Sequence, residues 1–289
     1  MDKLQDKIRK TKNPSMISLE LPVKLLPPQI LAQSEHVADA YAAFYNALLE
    51  ALKGTIPAIR VPWGMFTLLG VRGIQVLSEL LRKAKECGYY ILLDGLDFSS
   101  PQAAEIVAEN IFRRDEWPCD GLVVPVYLGS DCIKPFLEYC KNQNKDIFVQ
   151  AKTSNKSGPE LQDLRTGSRQ VHTAAMDLIN RYGEPMVGKF GYSNVAAIVG
   201  AGAPDAIRTM RAKYQRVFFV TDGYDYPNGN AKNCSFAFDR LGHGAIACAA
   251  GSVTAAWSLT ESDGTDFVEQ SVEAALRMKK NLTRYVTIL

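Results

Sequence analysis

The sequence predicts an α/β protein folded as a single (β/α)8 TIM barrel. Short apolar runs rich in β-branched residues alternate along the chain with longer stretches of helical periodicity. Most of these runs are continuously apolar, which is typical of parallel strands covered on both faces. No Pro/Gly/Ser-rich linker divides the 289 residues. Eight strand candidates with intervening helices favour a barrel, although periodicity alone leaves a doubly wound sheet open.

Each predicted strand is a short apolar segment. We expect strands at residues 17–21, 58–62, 89–94, 121–126, 146–152, 195–201, 216–221 and 244–250. We expect helices at residues 37–53, 73–87 and 160–182, where apolar residues recur at the spacing of one helical face. The whole chain, residues 1–289, is predicted to be one barrel domain, with an N-terminal extension over about residues 1–15 and a C-terminal helix over about residues 262–287.

The composition excludes several classes of protein and partner. The 33 Lys and Arg residues balance 31 Asp and Glu residues without any dense basic run, so we expect no nucleic acid partner. The six cysteines lack a CxxC pair and the three histidines lack zinc-ligand spacing, so we expect reduced thiols, no metal and no cofactor. Residues 1–7 lack the apolar core of an export signal, and no stretch approaches the ~20 consecutive apolar residues of a membrane span, so we expect neither feature. We therefore expect a cytoplasmic protein with no membrane partner.

The functional residues of a TIM barrel follow the carboxyl ends of its strands. Polar residues occupy most of these positions in the predicted strands. They are Arg60 in the second strand, Asp94 after the third, residues 153–155 after the fifth, residues 222–226 after the seventh and residues 251–252 after the eighth. We expect these residues to surround one end of the barrel.

Three segments resemble one enzyme family and follow its order. Residues 120–139 resemble the fourth βα unit of the longer, type 2 bacterial orotidine 5′-phosphate decarboxylases. Residues 148–155, which end in Thr-Ser-Asn, and residues 197–204 are similar to two further strands of that family. The resemblance extends from about residue 40 to residue 257. It implies a barrel, the conversion of orotidine 5′-monophosphate to UMP and CO2 in pyrimidine biosynthesis, and a homodimer paired across the open ends of the barrels.

The residues that would carry this reaction are only partly present. The family uses a lysine on strand two and an Asp-x-Lys-x-x-Asp array after strand three, whose lysine protonates the carbon that loses CO2. By resemblance, Arg60 and Asp94 occupy two of these catalytic positions. Leu96 stands where the lysine belongs, Ser99 stands where the last aspartate belongs, and Asp97 is one residue away with the opposite charge. A leucine can neither stabilise carbanion charge nor supply a proton.

The substrate-binding positions also differ from the family pattern. By resemblance, Ser154 and Asn155 contact the pyrimidine, and Gly223 lies in the loop that closes over the phosphate. That loop lacks the family's glutamine and contains an added acid. Gly251 falls near the position of the family's phosphate-binding arginine. Backbone N–H groups at Gly251 and Ser252 could still hold an anion.

Several residues admit more than one interpretation. Lys152 could reach the site from strand five, or it could face the outer helices. Asp94 could simply cap the loop that follows strand three. The family's aspartate at the end of strand one has no evident match, since Leu21-Pro22 stands at the nearest position.

Two hypotheses about function follow. In the first, the chain is a member of the decarboxylase family with little or no activity, because its Asp-x-Lys-x-x-Asp array is broken. In the second, it is a non-catalytic paralogue, a pseudoenzyme, that binds a pyrimidine nucleotide-like small molecule or a protein partner. The array is also needed by relatives that act on sugar phosphates, so its loss argues equally against those activities.

Overall fold

Eight parallel strands form the centre of the molecule. In chain order they are β1 (Ser15–Ser18), β2 (Ala58–Pro62), β3 (Tyr90–Asp94), β4 (Gly121–Val124), β5 (Asp146–Lys152), β6 (Val195–Gly200), β7 (Phe219–Asp222) and β8 (Ala245–Ala249). Each strand pairs in parallel with two neighbours, and β8 pairs with β1 to close the barrel. The computed structural model describes residues 1–96, 98–114 and 116–289. The predicted (β/α)8 barrel is confirmed.

Helices connect the strands and surround the barrel. They are α1 (Asp2–Thr11), α2 (Pro28–Gln33), α3 (Val37–Leu52), α4 (Trp63–Thr67), α5 (Gly70–Glu86), α6 (Pro101–Ala108), α7 (Lys134–Gln143), α8 (Pro159–Gln162), α9 (Val171–Gly183), α10 (Pro204–Lys213), α11 (Ala231–Ser235), α12 (Gly251–Thr254) and α13 (Phe267–Thr283). In the described ranges, no helix has the length and apolar character that a membrane crossing requires.

The strands are buried on both faces, as their continuous apolar runs predict. Residues 91–93 and 218–220 are at most 1% exposed. Because parallel strands carry helices outside and packed side chains inside, each of their residues meets other protein atoms. All six cysteines are also buried and unpaired.

Two predicted strands are shifted along the chain. The first strand was expected at residues 17–21 and lies at Ser15–Ser18, and the seventh was expected at residues 216–221 and lies at Phe219–Asp222. The apolar runs extend past the hydrogen-bonded segments, so hydrophobicity alone placed these ends incorrectly. The shift has a functional consequence, because it makes Ser18 and Asp222 the last residues of their strands.

The helix predicted over residues 160–182 is wrong in its first half. The structure has the short helix α8, then an antiparallel pair of Arg165–Thr166 with Arg169–Gln170, and only then α9. The turn of this hairpin contains Gly167 at φ +65°, a left-handed conformation that glycine adopts at little cost. The predicted apolar stripe is correspondingly broken, since Leu164 is exposed.

The end of the barrel at the start of the strands, which we call the floor, contains a buried carboxylate. Asp146 is 1% exposed and accepts hydrogen bonds from the Tyr90 hydroxyl and from Asn194 Nδ2, each at 2.7 Å. The amino group of Met1 contacts the same carboxylate. Burial raises the pKa of Asp146, and these three partners oppose that rise by stabilising the ionised form.

Candidate functional site

A cavity of about 810 Å³ opens at the other end of the barrel, where the strands finish. We call it the mouth cavity. Its volume falls within the range of ordinary small-molecule sites. The charged residues that line it in the described ranges are Glu20, Arg60, Asp94, Asp222 and Asp225.

Arg60 lies at the centre of this charged group. It is directed into the cavity from β2, and its Nε donates to Asp94 Oδ2 at 2.7 Å. Its Nη1 lies 3.0 Å from Asp222 Oδ1, at the end of β7. Burial alone would lower the pKa of the Arg60 guanidinium, but Asp222 and Asp94 together raise it above its ordinary value. Arg60 is therefore a fixed cation held by carboxylates on two different strands.

This arrangement supplies charge but no transferable proton. A guanidinium remains protonated at any accessible pH, so Arg60 is a poor general acid. No lysine lines the mouth cavity within residues 1–96, 98–114 and 116–289. Asp94 also accepts a hydrogen bond from the Gly95 amide at 2.6 Å. This bond caps the loop after β3, which is one of the two roles that the sequence suggested for Asp94.

The broken array after β3 lies partly away from the cavity. Leu96 packs against the hydrophobic core and Ser99 is exposed, and neither lines the mouth cavity. Asp97, the acid beside them in the sequence, lies outside the described residues. Leu96 therefore stands at the lysine's position in the sequence, but its side chain packs against the core.

The loops after β5 and β7 are joined through Ser154. Its hydroxyl donates to the backbone oxygen of Asp222 at 2.7 Å. Gly223 follows at φ +77°, and a Cβ there would lie 2.8 Å from Ser154 Oγ, so this position requires glycine. Ser154, Asn155 and Gly223 all line the mouth cavity, together with Arg60.

The loop after β8 is already bound to a carboxylate of the chain itself. Asp225 Oδ2 accepts from the amides of Ala250, at 3.0 Å, and Ser252, at 2.9 Å. Gly251 and Ser252 do not line the mouth cavity, whereas Asp225 and Ala250 do. Backbone donors that the sequence suggested for an external anion therefore hold Asp225.

The structure gives specific partners to Asp222 and Asp225, which the sequence placed only among the polar residues 222–226 after the seventh strand, and it adds Ser18, which the sequence interpretation missed. Asp222 binds Arg60, Asp225 binds the last loop, and Ser18 lines the cavity from the end of β1. Ser18 is 3% exposed, and its hydroxyl has no hydrogen-bond partner among the described residues. A polar residue between Ile17 and Leu19 was the available signal, but the shifted strand end hid it.

Lys152 is directed away from the mouth. It lines a separate cavity of about 490 Å³ outside the barrel, which we call the side cavity. There its Nζ donates to Asp163 Oδ1 at 2.5 Å, and His172 Nδ1 lies 3.1 Å from the same oxygen. The hydrogen bond from Lys152 lowers the pKa of Asp163. Of the two positions expected for Lys152, the structure therefore has the one facing the outer helices.

The sequence is similar to curated orotidine 5′-phosphate decarboxylases over most of its length. It is 25% identical over 285 residues to the protein of that name from Clostridium novyi, and the match covers 98% of each chain. It is 28% identical over 232 residues to the one from Rhodopirellula baltica, which covers 78% of this chain and 77% of the relative. These relatives confirm the predicted resemblance. No family model matches the chain.

Solved structures of similarly named proteins share the fold. The orotidine 5′-phosphate decarboxylase of Leishmania donovani matches with a TM-score of 0.74 at 21% identity, covering 98% of this chain and 97% of that one. The protein from Sulfolobus solfataricus matches with a TM-score of 0.62 at 13% identity, covering 94% and 99%. At these identities the likeness establishes the barrel fold alone.

Proposed function

We propose that this chain, a homologue of the orotidine 5′-phosphate decarboxylases, binds a small molecule in its mouth cavity and decarboxylates orotidine 5′-phosphate slowly or not at all. The family reaction is the conversion of that nucleotide to UMP and CO2. In this proposal the chain is a pseudoenzyme that keeps the barrel and the pocket of its relatives and has lost their proton donor. A cytoplasmic location is part of the same proposal, as the setting of pyrimidine biosynthesis.

The observation that carries the proposal is the Arg60 ion-pair network. Decarboxylation leaves negative charge on the ring carbon, which needs a nearby cation able to give up a proton. Arg60 is the one cation among the described residues lining the cavity, and it is held between Asp94 and Asp222. A guanidinium in that position holds its protons too tightly to protonate a carbanion.

The pocket itself supports a binding role. Its volume of about 810 Å³ accommodates a ligand of nucleoside size. Ser154 and Asn155, the residues that by resemblance contact a pyrimidine, line it beside Arg60. A pyrimidine nucleotide-like molecule is therefore our candidate ligand.

The test is a decarboxylation assay on protein purified from a host that lacks its own decarboxylase. We expect no loss of orotidine 5′-phosphate absorbance above the uncatalysed rate, while the Clostridium novyi relative serves as the positive control. Leu96→Lys should not restore turnover, because the side chain at that position packs against the core. Ready turnover by the unmodified chain would overturn the proposal.

We also propose that the chain forms a homodimer across the mouth end of the barrel, as the resemblance implies. Tyr127, after β4, is 85% exposed, and Val71, at the start of α5, is 76% exposed. Both residues follow the carboxyl ends of strands, at the end of the barrel where the resemblance implies the dimer interface.

Light scattering at micromolar concentration tests the dimer. We expect a dimeric mass for the unmodified chain and a shift to monomer for the pair Val71→Glu and Tyr127→Lys. Leu241→Lys, at an exposed apolar residue just before β8, is the matched control and should remain dimeric. A monomeric mass for the unmodified chain would contradict this proposal.

A further inference from the structure

The geometry points to Asp225 as a resident anion that takes the place of a ligand phosphate, so that the mouth cavity binds an unphosphorylated ligand. The end of that ligand facing Asp225 must donate a hydrogen bond, from a hydroxyl or a protonated amine. This inference rests on the proposed binding function, and it narrows the ligand from a nucleotide to a nucleoside or an amine.

The first reason is competition for the same donors. Barrel proteins commonly hold a phosphate with backbone N–H groups in the loops after the seventh and eighth strands. Here Asp225, in the loop after β7, accepts from the amides of Ala250 and Ser252 after β8. Each N–H group has one proton, and both already point at the Asp225 carboxylate. A phosphate could use them only by displacing Asp225.

The second reason is the charge of the cavity. Among its described lining residues, four carboxylates face one guanidinium. Two of those carboxylates, Asp94 and Asp222, already neutralise Arg60. Asp225 and Glu20 remain, and no cation pairs with either of them among the described residues. A phosphate dianion entering the cavity would meet net negative charge, whereas a cation would be attracted.

An independent observation supports a ligand with polar groups in this cavity. Ser18 lines the same cavity, its side chain is almost completely buried, and its hydroxyl has no partner among the described residues. A buried hydroxyl without a partner costs free energy, so native proteins rarely retain one without a reason. Rotation of the Ser18 side chain toward the cavity would let a polar group of a bound ligand supply the missing hydrogen bond.

The experiment compares three ligands that differ only at the 5′ position. Titration calorimetry at pH 7 measures uridine, 5′-amino-5′-deoxyuridine and uridine 5′-monophosphate against the full chain. We expect the amine to bind most tightly and the monophosphate at least about tenfold more weakly than uridine. Monophosphate binding as tight as that of uridine, or tighter, would overturn the inference.

A variant isolates Asp225. In Asp225→Ser the two amides are released and one negative charge is removed, so monophosphate affinity should rise at least about tenfold and the preference for the amine should fall. Asp225→Asn removes the charge with little change of shape and should shift the preference in the same direction. Asp205→Asn removes an exposed carboxylate outside the mouth cavity and is the matched control, with an unchanged order of affinities. If the Asp225→Ser protein folds and its three ligand affinities keep the same order as in the unmodified chain, the inference is also overturned.

Failure of the proposed function has a different signature. If none of the three compounds binds the unmodified chain, a nucleoside ligand is excluded. The role of Asp225 is then tested separately, by measuring thermal unfolding in the presence of inorganic phosphate. We expect 10 mM phosphate to raise the melting temperature of Asp225→Ser and to leave that of the unmodified chain unchanged. Equal responses of the two proteins would show that Asp225 does not stand in for phosphate.

Discussion

Two serines at opposite ends of β1 show how the floor and the mouth of the barrel differ. Ser15, at the floor, is fully buried, and its hydroxyl donates to Asn13 Oδ1 at 2.7 Å. Ser18, at the mouth, is almost as deeply buried and has no partner among the described residues. The residue type, the strand and the burial are the same. Of these two serines, only the one at the mouth is left without a hydrogen-bond partner among the described residues.

The ionic groups at the two ends differ in the same way. Asp146 at the floor is enclosed and accepts from Tyr90 and Asn194. Arg60 at the mouth is held by two carboxylates but borders an open cavity. Buried charges contribute to a fold only when their partners are complete, whereas a binding site keeps polar groups available. The floor therefore has the features of a structural network, and the mouth is where we propose that a ligand binds.

Removal of Asp146 tests the floor and should have the largest effect. Asp146→Ala leaves the hydroxyl of Tyr90 and the amide of Asn194 buried without their acceptor. We expect the free energy of unfolding to fall by about 3–5 kcal/mol, measured by urea denaturation. Asp205→Ala, at an exposed carboxylate, is the control and should change it by less than about 0.5 kcal/mol. A loss below about 1 kcal/mol for Asp146→Ala would contradict a structural role for the floor network.

Removal of Arg60 tests the mouth and should cost less. Arg60→Met leaves Asp94 and Asp222 without their cation, but water in the cavity can solvate both carboxylates. We expect a loss of about 1.5–3 kcal/mol in the free energy of unfolding, the range for hydrogen bonds to charged groups.

The control is Arg113→Met, which removes an exposed cation that pairs with Glu109. Such surface pairs contribute little, so its stability should be nearly unchanged. If Arg60→Met destabilises the chain more than Asp146→Ala does, the distinction between the two ends is wrong.

The pH dependence of stability should distinguish Asp146, at the floor, from an ordinary exposed carboxylate. Because the folded pKa of Asp146 is raised above 3.8, the folded chain takes up this proton before the unfolded chain as pH falls. Its contribution to stability therefore rises as pH decreases through the folded pKa, by about 1.4 kcal/mol for each unit of the rise.

Urea unfolding of the unmodified chain and of Asp146→Asn over a pH series measures this contribution. The stability of the unmodified chain minus that of Asp146→Asn should increase as pH is lowered toward 4. Asp163→Asn should show the opposite slope, because the pKa of Asp163 is lowered and its contribution is lost at acid pH. A difference for Asp146→Asn that does not vary with pH would show that Asp146 titrates normally.

The two serines provide the smallest and most direct comparison. Ser15→Ala removes a made hydrogen bond and should lower the free energy of unfolding by about 1 kcal/mol. Ser18→Ala removes an unsatisfied hydroxyl and should leave it unchanged or raise it slightly. Thermal unfolding of both variants without ligand measures the difference. Equal losses would mean that the Ser18 hydroxyl has a partner in solution and is not reserved for a ligand.

Much of the barrel could be predicted from local patterns. The bounds of β2 and β5 agree with the sequence prediction, and α3 and α5 lie within a few residues of theirs. The hairpin between α8 and α9 was missed, because the glycine turn interrupts a stretch whose apolar spacing still imitates a helix. Several strand ends were predicted incorrectly, because hydrophobicity continues beyond the last hydrogen bond between strands.

The sequence by itself determined the barrel, the resemblance to the decarboxylases and the absence of a lysine at the position of Leu96. These features depend on residue type and order, which are visible without coordinates. The tertiary structure alone decided that Arg60 binds Asp222, that Asp225 binds the loop after β8, and that Ser18 faces the cavity. The contact between Arg60 and Asp222 joins β2 to β7, which are far apart in the chain and meet only because the barrel closes. The contact of Asp225 joins the loops after two neighbouring strands, β7 and β8. Their chemistry depends on which side chain reaches which partner, and no local pattern encodes that distance.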